Sequence, residues 1–481
     1  MQPNPLKTLM NPKSIVFLGG SNSLQTVGTA QLLNIVKGGY KGKVYPVHLK
    51  EKTVIGLKSY PNISSLPEPA DLAVMVIPNP AIPGVLEECG KKGIRHAIII
   101  TAGYEEMGHK GGQMQKALIH TCKQHGIRLI GPNCIGIINS AISLNTTWFP
   151  CKYKPGKVGI ISQSGSYVTQ TLPYFEKLGL GISQAISVGN QADIDMVDCL
   201  EYLSQDPGTE AIALYIEGLK RPSAFLELAK QITPYKPIVA LYVGGTEAGS
   251  RACASHTASI SGPDEIYGAL FRQAGILRAK NFSDLFDWSL ALAQQPLPAG
   301  NNMAILSNSG GPGTSMADEC NRHGLYVPVF NKTTQEKIRA MTPLTASPKN
   351  PVDITMNYDL DLIFKKLPCL ILDMPDIDGM LFYGIFGPMH FQDKKVLFED
   401  LIDIPIDLMK KLMREACARF VEFPDKYRKP ILCACFCGRE DEAVMLIQDG
   451  GIPVYPTPGR AVRAMGALWE YKKIRDGMEQ N

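Results

Sequence analysis

Three times along this chain a short, almost unbroken apolar run ends in a small-residue turn and is followed by a stretch with helical spacing. The first series opens with SIVFLGG, passes through Leu32, Leu33, Ile35 and Val36, and continues with KVYPVHLK, DLAVMVIP, HAIIITAG and RLIGPNCIGIIN. After WFPCKYKPGK a second series follows, with KVGIISQSG, GISQAISVGN, AIALYIEG and KPIVALYVGG as its apolar runs. PLPAGNN precedes the third, which begins MAILSNSGGPG and ends GIPVYPTPGRAVRAMGALWEY. Runs that are apolar at nearly every position are strands covered on both faces. Strands of that kind alternating with helices form a parallel, doubly wound sheet, and ligands bind where loops leave the carboxyl ends of the strands. The expected fold is α/β, in segments 1–146, 151–296 and 301–481.

A length of 481 residues agrees with about three domains. With 45% hydrophobic and 20% charged residues the chain has ample side chain for several cores. A net charge of +4 from dispersed basic residues lacks the footprint of a nucleic-acid binder. The N-terminus MQPNPLKTLMNPK is not basic-then-apolar, and no apolar run approaches a bilayer span, so the expected location is cytoplasmic. Twelve scattered cysteines fit reduced thiols. Cys433, Cys435 and Cys437 alternate in ILCACFC, and a buried strand of small apolar residues explains that run better than a metal site.

The turn GGSNSLQTVG, from Gly19 to Gly28, joins a strand to a helix, where backbone amides and the helix N-terminus can hold phosphate. Its spacing is not GxGxxG. An NAD site wants an acid at the end of the second strand, and this chain has His48, Leu49 and Lys50 there. A cation suits a ribose that carries phosphate, as in NADP or coenzyme A. In GNQADID, Asp193, Asp195 and Asp198 read as residues that cap and open a helix rather than as metal ligands.

His256 lies in RACASHTASISG, a small-residue stretch without clear helical or strand period, which reads as an exposed, mobile loop. Two strands end in sequences that put free amides at a helix start, IISQSGSYV and ILSNSGGPG, and each could bind an oxyanion. Glu217 in ALYIEGLK stands at a strand's carboxyl end, where a carboxylate could fix an imidazole tautomer and stabilise its charged form.

Together SHTASISGPDEIYGALFRQAGI, GNQADIDMVDCLEYLSQDPGTEAIALYIEG, ISQSG, GPNCIGIIN and SNSGGPG resemble the α subunit of ADP-forming acetyl-CoA synthetases, relatives of succinyl-CoA synthetase. The resemblance runs in order over nearly the whole chain. It implies a Rossmann-like coenzyme A-binding domain followed by two flavodoxin-like α/β domains. It implies phosphorylation of His256 with Glu217 as stabilising carboxylate, Gln163, Ser164 and Gly165 heading one phosphate-gripping helix, and Gly310, Gly311 and Gly313 heading the other. For coenzyme A it suggests Gly20, Ser21 and Ser23, Lys50 near the ribose phosphate, Pro78 and Asn79 after the third strand, and Asn133 near the thiol end. Family members often read KAGRS or KAGRT where this chain has YVGGT, so Tyr242 and Gly245 replace two basic residues.

No ATP-grasp region is visible in the sequence. The resemblance therefore implies a separate ATP-grasp β subunit holding ADP or ATP with Mg, while phosphate and acyl-CoA meet on this chain. The expected reaction is reversible: acyl-CoA, phosphate and ADP give acid, coenzyme A and ATP. The replacements at Tyr242 and Gly245 motivate an alternative of another class, a coenzyme A-binding regulatory or scaffold protein with the transfer chemistry lapsed. An NADP-dependent oxidoreductase fits the opening strand, turn and helix but neither GPNC nor the paired nests.

Overall fold

The computed structural model describes residues 4, 6–149, 153–257, 262–357, 359–385, 387 and 405–479, without the side chains of 254–257, 406 and 479. It divides into two compact units, one of residues 1–174 and 181–279, the other of residues 175–180 and 280–481.

The first unit holds two sheets. In one, five parallel strands lie in the order Lys43–Val47, Ser14–Leu18, Leu72–Met75, His96–Ile99, Arg128–Ile130. The interior strand Ser14–Leu18 is buried along its whole length, as its uniform apolar pattern requires. Because its neighbours come from opposite directions of winding, loops leaving Leu18 and Met75 flank a switch point, the usual crevice for a ligand. Close approach there depends on glycine. Gly19 has φ +100°, and a Cβ on Gly28 would lie 2.2 Å from the Gly19 carbonyl oxygen.

The second sheet runs Leu277–Arg278, Ile238–Tyr242, Ala211–Ile216, Lys154–Ser162, Gly181–Ser187, and then an antiparallel hairpin of Ile137–Asn139 and Leu144–Asn145. GPNCIGIIN thus leaves the first sheet after Ile130 and joins the edge of the second. One apolar cluster, including Phe17, Ile98, Ile137, Ile186 and Leu214, is continuous through both sheets.

The second unit carries a parallel sheet in the order Val352–Asp353, Met303–Ser307, Gly379–Tyr383, Ile431–Ala434, Val454–Tyr455. Helix Phe282–Gln294 belongs to this unit and packs on helix Pro458–Glu479. Asp287 takes two bonds from Arg460, at 2.7 and 2.6 Å, and Asp284 takes one from Arg463 at 3.0 Å. Cys433 and Cys435 are buried, and only Cys433 is within the strand. Among the described residues no group of three or more His, Cys, Asp or Glu side chains is arranged to hold a metal ion. No described helix is long and apolar enough to cross a membrane.

One expectation is overturned. Residues 251–257, read as a loop, form the end of helix Glu247–Thr257. Thr246 Oγ1 accepts from the Gly249 N–H at 3.0 Å near its start, Glu247 and Arg251 pair one turn apart, and alanines at 248, 252 and 254 favour the helical state. Residues 258–261 of the stretch lie outside the described residues.

Candidate active site

The first loop is built by hydroxyl bonds. The Ser21 N–H donates to Thr29 Oγ1 at 3.0 Å, the Ser23 N–H donates to Ser21 Oγ at 3.2 Å, and Thr26 caps the helix Val27–Lys37. Asn22 ties this loop to the segment after the second strand. Its amide donates to Glu51 and to the Thr53 carbonyl, and its oxygen accepts from the Ile55 N–H at 2.9 Å. Exposed Lys50 therefore sits in a segment anchored to the loop of Gly20, Ser21 and Ser23, with its own N–H directed to His48 Nδ1. Across the switch point Pro78 precedes Asn79, whose amide donates to the Ala102 carbonyl at 2.8 Å. Asn79 Oδ1 is buried without a partner among the described residues, an acceptor that a ligand donor would satisfy.

Asn133 has φ +56° and sits where the chain passes from the first sheet toward the second. It lines a cavity of about 170 Å³ with Gln163, Ser164, Gly165, Ile135 and Trp148. The fold thus brings together one residue expected at the coenzyme A thiol and three expected around phosphate. Gly165 leaves room for Ile135, since a Cβ there would lie 2.9 Å from Ile135 Cβ. The helix that follows is a single turn, Ser166–Thr169, so its macrodipole is small and local amides provide most of the attraction for an anion.

Gln163 does something its motif did not disclose. It is only 2% exposed, and its Oε1 accepts from the N–H groups of Glu217 at 2.6 Å and Gly218 at 3.0 Å. The end of strand Lys154–Ser162 thereby fixes the backbone that presents Glu217. Glu217 is buried, close to the stacked rings of Tyr167 and Tyr215, whose centroids are 4.0 Å apart. Burial and then the Glu217 charge push the Tyr215 hydroxyl well above its ordinary value. The Cys253 thiol is raised for the same two reasons, in the same order. Cys253 is on helix Glu247–Thr257, three positions before His256. Residues three apart are neighbours on a helix surface, so the Glu217 charge acts close to the helix face that bears position 256. The side chain of His256 itself lies outside the description.

In the second unit, Ser307 ends a strand and Ser309 opens helix Gly310–Arg322. Ser307 Oγ donates to the Ser309 carbonyl at 2.6 Å. A Cβ on Gly310 would lie 3.2 Å from Asp353 Oδ2, a Cβ on Gly311 would meet nothing within 4 Å, and Gly313 packs on Ser307. This helix is thirteen residues long, and its open side is at Gly311.

Two family models match the first unit and the residues just after it: a CoA binding domain over residues 13–140 and a succinyl-CoA ligase like flavodoxin domain over 155–292. The α subunit of acetate–CoA ligase [ADP-forming] I from Pyrococcus furiosus is 35% identical over 474 residues, covering 97% of this chain and 98% of that one. The chain belongs to this family of ADP-forming acyl-CoA synthetase α subunits. A structure of the dinucleotide-forming acetyl-coenzyme A synthetase 1 of Ca. Korarchaeum cryptofilum, in complex with phosphate and ADP, superposes with a TM-score of 0.85 at 33% identity over 99% of both chains. The 4-hydroxybutyrate–CoA ligase [ADP-forming] of Nitrosopumilus maritimus is 32% identical over 96% of this chain, which spans 63% of that longer protein. These ligases set the expectations above on a family footing: an NDP-forming acyl-CoA synthetase α subunit of α/β architecture.

Sequence reasoning missed Ile135 and Trp148 as cavity walls. Ile135 is inside a motif that was quoted for other residues, and Trp148 begins WFPCKYKPGK, which reads as a linker. The aromatic pair Trp148 and Phe149 at the head of that connector was the available signal.

Proposed function

We propose that this chain, with a separate ATP-grasp subunit, interconverts acyl-CoA, phosphate and ADP with acid, coenzyme A and ATP through phosphorylated His256. Phosphate oxygen attacks the thioester carbonyl, the C–S bond breaks, and coenzyme A leaves with a proton as an acyl phosphate forms. The His256 imidazole then takes the phosphoryl group as the acid departs. ADP, held with Mg by the partner, receives it as ATP, and splitting the transfer this way replaces one difficult step with two. Coenzyme A would lie across the switch point, with Gly20, Ser21 and Ser23 at its phosphates, Lys50 at the ribose phosphate, Pro78 and Asn79 beside it, and Asn133 at the thiol. Ser164 and Gly165 would hold phosphate in one nest, with Gln163 beneath them, and Gly310, Gly311 and Gly313 would supply the other.

The observation that carries this reading is the placement of Glu217: buried, fixed by Gln163, and electrostatically close to the helix face of position 256. A carboxylate so placed supports a charged or phosphorylated imidazole. Labelled phosphate supplied with acyl-CoA should appear on the wild-type chain as an acid-labile, base-stable group. His256→Ala should abolish it, and Glu217→Gln should lower it with coenzyme A affinity unchanged. Label that persists undiminished in His256→Ala would defeat the phosphohistidine assignment. The acyl group is left open, since acetate and 4-hydroxybutyrate ligases are about equally similar to this chain.

A further inference from the structure

A second cavity, of about 690 Å³, lies in the first unit along the flank of helix His109–His125, and its lining includes none of Gly20, Lys50 and Asn79. Its size is ordinary for a ligand site. The helix presents His109, Lys116, His120 and Lys123 to it, at spacings of three, four and seven that form one stripe about 21 Å long. Lys220 lines it as well. Lys116, His120 and Lys123 are exposed and have no ion pair among the described residues. Among the described residues Glu105 is the sole carboxylate lining the cavity, and Lys220 pairs with it at 3.5 Å. Nearby Asp193 is matched by Arg128 at 2.9 Å. Gly108 and Gly112 lie on the same wall and keep it open, since a Cβ on either would meet nothing within 4 Å. Three lysines around a concave, glycine-relieved surface suit a compact multiple anion, and phosphate is the anion that lysine serves as a point charge.

A chain of hydrogen bonds leads from this cavity to Asn133. Glu105 Oε2 accepts from Lys220 and, at 2.6 Å, from Gln115 Nε2. Gln115 Oε1 accepts from Asn190 Nδ2 at 3.0 Å, and Asn190 Oδ1 accepts from Asn133 Nδ2 at 3.2 Å. Asn190 also donates to Glu106 Oε2 at 2.6 Å.

We propose that this basic groove is a polyphosphate-binding regulatory site, in which a bound anion draws Lys220 from Glu105 and weakens coenzyme A binding through Gln115, Asn190 and Asn133. The sign follows from charge. The carboxylate of Glu105 loses its lysine, and negative potential rises behind the residue placed at the thiol. The coupling half of the proposal rests on that placement of Asn133, whereas the binding half does not.

The test uses the full-length chain with tripolyphosphate and, separately, ATP, by titration calorimetry, in wild type and in Lys116→Glu/Lys123→Glu. Tripolyphosphate should bind wild type, and the double variant should weaken it at least tenfold while its affinity for coenzyme A alone is unchanged. Equal affinities for tripolyphosphate and ATP identify the phosphate chain as the recognised group, and tighter ATP adds a nucleoside contact. Tripolyphosphate should also weaken coenzyme A about fivefold in wild type, the low end of the usual range for linked sites, and not in the double variant. Binding that survives the double substitution overturns the site, because the anion is then held elsewhere. Unchanged coenzyme A affinity with tripolyphosphate bound overturns the coupling. Failure of His256 labelling in the wild type, measured without polyphosphate, would count against the proposed function alone.

Discussion

Replacing Gln163 with methionine tests whether the fold holds Glu217 in place through a side chain rather than through the strand alone. Methionine keeps the length and most of the volume and removes the acceptor. Two N–H groups, those of Glu217 and Gly218, then face a buried thioether at positions now filled by an oxygen 2.6 and 3.0 Å away. A buried donor left without its partner costs about 1–3 kcal/mol, so the pair predicts a loss of about 2–4 kcal/mol if the thioether recovers some packing. At about 2–4 °C per kcal/mol for domains of 150–250 residues, that is a fall of roughly 4–16 °C. Calorimetry on the purified chain would measure it, with Gln170→Met as control, because Gln170 lines the same cavity but is exposed. Phosphate labelling should fall as well, since the backbone that presents Glu217 is loosened. A Gln163→Met protein that melts within a degree of wild type would refute the reasoning, because the two amides would then be satisfied some other way.

Further outcomes follow from other contacts. Asp195 caps helix Met196–Gln205; burial would raise its carboxyl, but the paired bonds from Arg221, at 2.6 and 2.5 Å, hold it below the ordinary value. A depressed carboxyl adds stability above its unfolded pKa and loses it as pH falls through the folded one, so denaturation midpoints should drop below about pH 4. Arg221→Met should lower stability at neutral pH and flatten that acid dependence. Lys50→Glu should weaken coenzyme A about tenfold, as reversal of an exposed charge allows, and dephospho-coenzyme A much less; equal losses in a binding titration would remove Lys50 from the ribose phosphate.

The strands were legible because burial on both faces leaves an unmistakable mark, an apolar residue at nearly every position. Sheet membership was not. Arg128–Ile130 and Ile137–Asn139 are equally apolar, and nothing between them announces that the chain leaves one sheet for another. The helix at Glu247–Thr257 was hidden because its glycine and serines look like a loop, while its support comes from a cap and one ion pair. Long-range polar work is the least legible of all. Lys236 reads as the start of a strand, yet its buried ammonium donates to the carbonyls of Leu203, Ser204 and Asp206, each at 2.9 Å, closing the end of a helix. Gln163 is the same lesson within the site: the motif marks a phosphate turn, and only the fold reveals that the side chain turns toward Glu217.

The two positions where basic residues are replaced form a coherent local structure, which bears on whether they are losses. Tyr242 is buried, its ring stacked on Tyr267 with centroids 3.7 Å apart and planes 8° from parallel. Its hydroxyl, pushed up to about 12 by burial and then by Tyr267, stays protonated and donates to the Gly262 carbonyl at 2.7 Å. Tyr267 in turn accepts from the Leu219 N–H at 3.0 Å, two residues beyond Glu217. A lysine at 242 would forfeit the stack and bring a charge into that burial, which is costly without a partner. At Gly245 a Cβ would lie 2.3 Å from Asp264 Oδ1, and Asp264 already pairs with Arg278. An arginine at 245 would collide with a carboxylate whose cation comes from the strand Leu277–Arg278 instead. Decay after loss of function would leave such positions ill-packed. Here both are filled by contacts that reach the backbone beside Glu217 and the start of helix Asp264–Ala274, so the substitutions are accommodated by the same framework that positions the carboxylate.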